Sequence, residues 1–119
     1  MASKYLFNQV IYNADNSDYN VPSSLVTQKD VNTVLRTYTS IYHLGVRTIP
    51  GTKIYFNGDT EHPIIIGFSG VFEIDFTDLS QGFISNISVD ADSLAKIAEN
   101  KSAYLVFDIL YLAGGAGET

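Results

Sequence analysis

The stretch Val71-Phe72-Glu73-Ile74-Asp75-Phe76 constrains the fold more than any other. In an extended chain, successive side chains point to opposite faces. Phe72, Ile74 and Phe76 then share one side, and Glu73 and Asp75 share the other. That alternation predicts a half-buried strand with one face on a core.

Other stretches carry related signatures. Thr52-Lys53-Ile54-Tyr55-Phe56 runs into Asn57-Gly58, a pair suited to the φ > 0 residues of a tight turn. Pro63-Ile64-Ile65-Ile66 is β-branched at three successive positions, and proline is tolerated at a strand's first residue. Gly67 and Gly70 bracket the turn from there into the strand at 71–76. Residues 104–112, YLVFDILYL, are apolar on both faces except at Asp108. Such a strand is central and covered on both sides, or lies at a subunit contact. Residues 5–12, 40–48 and 83–89 complete the set; in the second, Tyr42, Leu44 and Val46 share a face opposite His43 and Arg47. About seven strands at short, regular spacing predict an all-β fold, a single β-sandwich or jelly-roll-like domain.

Two short helices interrupt the strands. Thr27-x-x-Asp30 has the form of a capping box, followed by an apolar stripe of Val31, Val34, Leu35 and Tyr38. The second helix is expected over 92–99, with Asp90 or Asp92 as its cap and Leu94, Ile97 and Ala98 facing inward. Both are too short to stand alone and must pack on the sheet. Residues 13–24 are a polar loop rich in Asp, Asn and Ser. Residues 1–40 are expected to supply a docking arm and helix, and 113–119 a Gly-rich tail.

The chemistry on offer is sparse. A net charge of −6 without a basic cluster argues against nucleic acid, because phosphate binding needs Lys and Arg. The absence of cysteine excludes disulfides, thiolate metal sites and cysteine nucleophiles. No apolar run approaches the roughly 20 residues of a membrane-spanning helix, and the first residues lack a secretory pattern. The expectation is a protein made in the cytoplasm, without membrane or nucleic-acid partners. Charge is also uneven: residues 1–60 carry five basic and four acidic groups, residues 61–119 two and nine. An acidic solvated face accounts for this, and head-to-tail contact between copies is the sharper reading.

Candidate catalytic groups fail on pattern. Neither His43 nor His62 belongs to a motif with a nucleophile, so surface roles are expected for both. Ser69 in Gly67-Phe68-Ser69-Gly70 breaks the G-x-S-x-G spacing at Val71, and no histidine follows it. Asp15-Asn16-Ser17-Asp18 and Asp90-Ala91-Asp92-Ser93 space oxygens as calcium loops do but lack the remaining ligands, so turns and caps explain them. No catalytic residue, cofactor or metal is expected. Eight tyrosines and seven phenylalanines remain. Tyr12, Tyr19, Tyr38, Tyr55 and Tyr111 are the ones expected to be partly exposed, as interface or ligand aromatics.

Four stretches carry a family resemblance: residues 47–58 (RTIPGTKIYFNG), 63–67 (PIIIG), 70–76 (GVFEIDF), and 88–94 with 103–111 (SVDADSL and AYLVFDILY). Together they resemble small β-rich virion proteins of tailed bacteriophages of Gram-positive hosts. The resemblance implies a non-enzymatic virion structural protein, a capsid decoration or accessory subunit binding other virion proteins. It also implies self-association as a homo-oligomer. A tail or baseplate module that binds a surface saccharide is the alternative of a different class.

Overall fold

A computed structural model describes residues 4–13, 26–75 and 84–113 of the chain. Among the described residues, seven strands form two antiparallel sheets with two short helices, a small β-sandwich-like fold. The larger sheet has the order β1-β7-β2-β5, from Lys4–Asn13 (β1), Tyr104–Ala113 (β7), Ile41–Arg47 (β2) and Val71–Asp75 (β5). The smaller sheet runs β4-β3-β6, from Ile64–Ile65 (β4), Lys53–Tyr55 (β3) and Ser88–Val89 (β6). β7 is interior, as its two apolar faces predict, pairing with β1 on one side and β2 on the other. Residues 4–13 form a strand of the main sheet, where a strand is expected over 5–12. Residues 14–24 of the expected polar loop and 114–119 of the tail lie outside the described residues.

Alternation decides what each strand buries. Val10 and Tyr12 of β1, Leu105, Phe107 and Ile109 of β7, and Leu44 and Val46 of β2 project into one core. Phe72 and Ile74 of β5 pack on that core, while Val71, Glu73 and Asp75 point away. The smaller sheet and the helices close it from the other side with Ile54, Val89, Val31, Leu35, Leu94 and Ile97. Burying an aliphatic or aromatic side chain of this kind stabilises by about 1.5–3 kcal/mol.

Tyr42 departs from the expected pattern. It does not share the face of Leu44 and Val46, because the register with β7 shifts between Ile41 and His43. Tyr42 is the extra residue of a β-bulge, so the alternation slips by one there and Ile41 joins Leu44 on the core side. Its ring is nonetheless fully buried.

Both helices form close to where their patterns place them, with one correction. A 3-10 turn at Gln28–Asp30 leads into α1 (Val31–Leu35). Thr27 makes no capping bond to the backbone; its hydroxyl donates instead to Asp30 Oδ2 at 2.9 Å. The stripe holds, with Val31, Leu35 and Tyr38 buried, although Tyr38 lies past the helix end. α2 (Ala91–Ala98) is capped by Asp90, whose Oδ2 accepts the Ser93 N–H at 3.3 Å.

α1 also does something no pattern announces. The Asn32 side chain donates to the Val89 carbonyl at 3.0 Å and accepts the Val89 N–H at 2.7 Å. It stands where a strand neighbour would stand and closes the outer edge of β6.

Candidate interaction surfaces

The tyrosines named from the sequence do not form one platform. Tyr12 and Tyr38 are in the core, at 5% and 8% exposure, against the expectation that both are partly exposed. The reason is parity: Tyr12 falls on the same face of β1 as Val10, and Tyr38 continues the buried stripe of α1. Tyr111 is half-buried and meets Tyr38 edge-on, ring centres 5.0 Å apart. Asn8 Nδ2 donates to the Tyr38 hydroxyl at 2.8 Å. Burial chiefly, with Tyr111 adding to it, raises the Tyr38 phenol above its ordinary value, against a lowering by the Asn8 bond. Burial also raises Tyr12.

Tyr55, on the smaller sheet, is half-buried with its hydroxyl committed. It donates to Asp90 Oδ1 at 3.0 Å, so Asp90 joins the cap of α2 to β3. That hydrogen bond, with desolvation and the charges of Asp90 and Asp92 behind it, raises the Tyr55 phenol. Tyr19 lies outside the described residues. A sugar ring stacks on an open, flat aromatic face, which the buried Tyr12 and Tyr38 do not offer.

The other residues weighed from the sequence sit in surface roles. His62 Nδ1 lies 2.9 Å from Asp59 Oδ2, and that bond leads the effects that lower the Asp59 carboxyl. Ser69 is a turn residue whose Oγ accepts the Val71 N–H at 3.3 Å. Asp15 and Asp18 lie outside the described residues. Among the described residues, no group of three or more His, Asp or Glu is placed to hold a metal ion.

Two surfaces stand out once these are set aside. The first is the face of the larger sheet turned away from the core. It is closed over Ile11 and Val106, each 1% exposed, and opens along the strands to Phe7 at 62%. A polar strip crosses it. Gln9 Nε2 donates to Asp108 Oδ1 at 2.7 Å, and Arg47 Nη2 donates to Asp108 Oδ2 at 3.1 Å. His43 Nε2 lies 3.4 Å from Glu73 Oε2, and its Nδ1 lies 3.8 Å from Asp75 Oδ1. Gly45 leaves a hollow of about 120 Å³ between these pairs, walled by Arg47, Glu73 and Asp108. The sequence signals for this strip are Asp108, isolated in an apolar strand, and the polar faces that carry His43 with Arg47 and Glu73 with Asp75.

The second surface lies at the end of the sheet where β2 stops and β5 starts. The turn Gly67-Phe68-Ser69-Gly70 is tied at both sides: Gly70 N–H donates to the Gly67 carbonyl at 3.0 Å, and Thr48 N–H to the Gly70 carbonyl at 2.9 Å. Gly70 has φ +73°, and a Cβ there would overlap the Thr48 carbonyl oxygen. This fixed turn holds Phe68 out into solvent at 99% exposure. Beside it runs an open groove of about 240 Å³, lined by Pro50, Gly51, Ile66, Gly67 and Phe68. Ile65, on β4, is also 60% exposed. The sequence marks the turn through its two glycines, but periodicity does not say which way a turn residue points.

Comparison with protein-family models, with curated proteins and with solved structures finds no match for this chain. Among the described residues, no helix is long and apolar enough to cross a membrane.

Proposed function

We propose that this chain is a structural contact subunit, a small accessory protein of a tailed-phage virion that binds the capsid through surface complementarity. The observation that carries the contact reading is Phe68. A phenylalanine held in full solvent by a hydrogen-bonded turn is costly for a free protein, and burying it in a partner would return about 1.5–3 kcal/mol. Because the turn is already fixed, little conformational freedom remains to be lost when Phe68 docks. A central aromatic anchor next to an apolar groove is the arrangement that dominates binding energy at protein interfaces. The virion assignment rests on the resemblance of residues 47–111 to small β-rich phage proteins.

The test is direct. Purified particles of the virus encoding the chain are analysed by peptide mass spectrometry, and the recombinant protein is then titrated onto particles that lack it. Saturable binding that Phe68→Asp abolishes is the expected result. Absence of the chain from purified particles overturns the virion reading, and unchanged binding of Phe68→Asp overturns the role of the turn.

A further inference from the structure

At the other end of the sheet, β1 is an edge strand, and its backbone parity decides what it offers. Val26 N–H donates to the Ile11 carbonyl at 2.8 Å from the side away from β7. In an antiparallel ladder, alternate residues bond to alternate sides, so the odd-numbered residues of β1 direct both N–H and C=O away from β7. Tyr5, Phe7 and Gln9 thus form an outward row of donors and acceptors, unpaired with any described residue. The side chains there are open too: Leu6 is 42% and Phe7 62% exposed.

We propose that this edge pairs antiparallel with the same edge of a second copy of the chain, across a two-fold axis at Phe7. Three observations select that occupant and that register. First, Val26 occupies the Ile11 carbonyl, so the free row ends at Gln9, and Phe7 is the middle one of the described outward residues Tyr5, Phe7 and Gln9. Tyr5 then faces Gln9 of the partner subunit, Phe7 faces its own equivalent, and each pair exchanges both backbone bonds.

Second, residues 5–12 carry no charge in a chain of net −6, so two copies approach without opposing charges. The other edge of the same sheet, β5, presents Glu73 and Asp75, and pairing two copies about its centre would set Glu73 against Glu73. Like charges directly opposite are destabilising, so charge directs self-pairing to β1. Third, the symmetric register brings two exposed phenylalanine rings side by side, a favourable cross-strand pair. An isologous contact of this kind closes on itself. The pairing makes no use of Phe68 and stands whether or not the chain binds a capsid.

The experiment is amide hydrogen exchange by NMR on the full chain over a dilution series, with mass measured by light scattering at each point. At high concentration the mass doubles and the Tyr5, Phe7 and Gln9 amides become protected. On dilution they exchange freely, while Leu6, Asn8 and Val10, bonded to β7, stay protected throughout. In a mixed labelled and unlabelled sample, an intermolecular NOE joins Leu6 Hα to Asn8 Hα of the partner subunit. Phe7→Lys sets two ammonium groups against each other at the axis and raises the dissociation constant by about tenfold or more. Phe68→Asp leaves it unchanged, so loss of particle binding and loss of pairing are separate results. A monomer at millimolar concentration overturns the proposal. So does a dimer whose odd-numbered amides stay unprotected, and so does protection that persists at every dilution, which would mean that this chain's own residues cover the edge.

Discussion

Gly70 and Gly58 form a matched pair that isolates what the Phe68 turn requires. Their backbones are nearly identical in φ, +73° and +75°, and they differ in what a side chain would meet. At Gly58 nothing lies within 4 Å of an added Cβ. Gly58→Ala therefore incurs only the left-handed backbone cost of an L-residue, about 1–2 kcal/mol. At Gly70 the same methyl group overlaps the Thr48 carbonyl oxygen, which belongs to backbone and has little room to yield. Thr48 is held by its N–H bond to Gly70 at 2.9 Å and by its Oγ1 contact with Thr52 at 3.1 Å. Forcing such a shift adds an overpacking cost of about 1–3 kcal/mol. Gly70→Ala is expected to lose about 2 kcal/mol more than Gly58→Ala. At about 4 °C of melting temperature per kcal/mol, the two variants should separate by roughly 8 °C. Urea denaturation with a common slope measures the difference directly. If the variants agree within about 0.5 kcal/mol, below the overpacking range, the turn is not pinned against Thr48 and the case for a preset Phe68 fails with it.

Three further outcomes are expected. Asn32→Ala removes both bonds to Val89 and leaves a partly buried N–H and C=O without them; urea denaturation should show a loss of about 2 kcal/mol, and a loss below about 0.5 would refute the strand-substitute role. The raised Tyr55 phenol favours the protonated form in the fold, so its contribution is fully present below the ordinary tyrosine value of about 10 and is lost as pH rises through the folded value. Asp90→Asn keeps the helix cap but removes the charge, and NMR titration of ring-labelled tyrosine should show the Tyr55 midpoint falling; an unmoved midpoint would contradict the assigned cause. Gly45→Ala should stabilise by about 0.4–1 kcal/mol, because an added Cβ meets Asp108 and His43 no closer than 3.8 Å and the alanine chain has less freedom to lose. A thermal melt shifted downward would show that the hollow beside Asp108 is not room to spare.

The strands were legible because their patterns are local: 71–75 alternates apolar and polar side chains, and 104–112 is apolar on both faces as an interior strand is. The partners of those strands were not. Nothing in the sequence of β7 says that β1 lies on one side and β2 on the other, since pairing is decided by which faces can be buried together. The Tyr42 bulge was hidden for the same reason, because an unbroken alternation through 41–47 is as plausible locally as a slipped one. Tyr12 and Tyr38 show a different limit. A tyrosine tolerates either side of a sheet, so only the parity of its neighbours places it, and Val10 and Leu35 place both inward. Asn32 reads as an ordinary polar helix residue until Val89 is seen opposite it. For Phe68 the sequence contains the turn, yet its full exposure follows from the Thr48 and Gly67 bonds that orient the turn.

The Asn32 amide has a consequence for how many ways the molecule can grow. Hydrogen-bonding edges are the valences of a β-protein, and a chain with two open ones can add copies without end into a fibre. Here the β6 edge is plugged by a side chain, β4 is only two residues long and follows Pro63, and β5 carries Glu73 and Asp75. Among the described residues, that leaves the uncharged stretch of β1 as the one sizeable valence. A unit with a single self-complementary valence can pair, but it cannot polymerise.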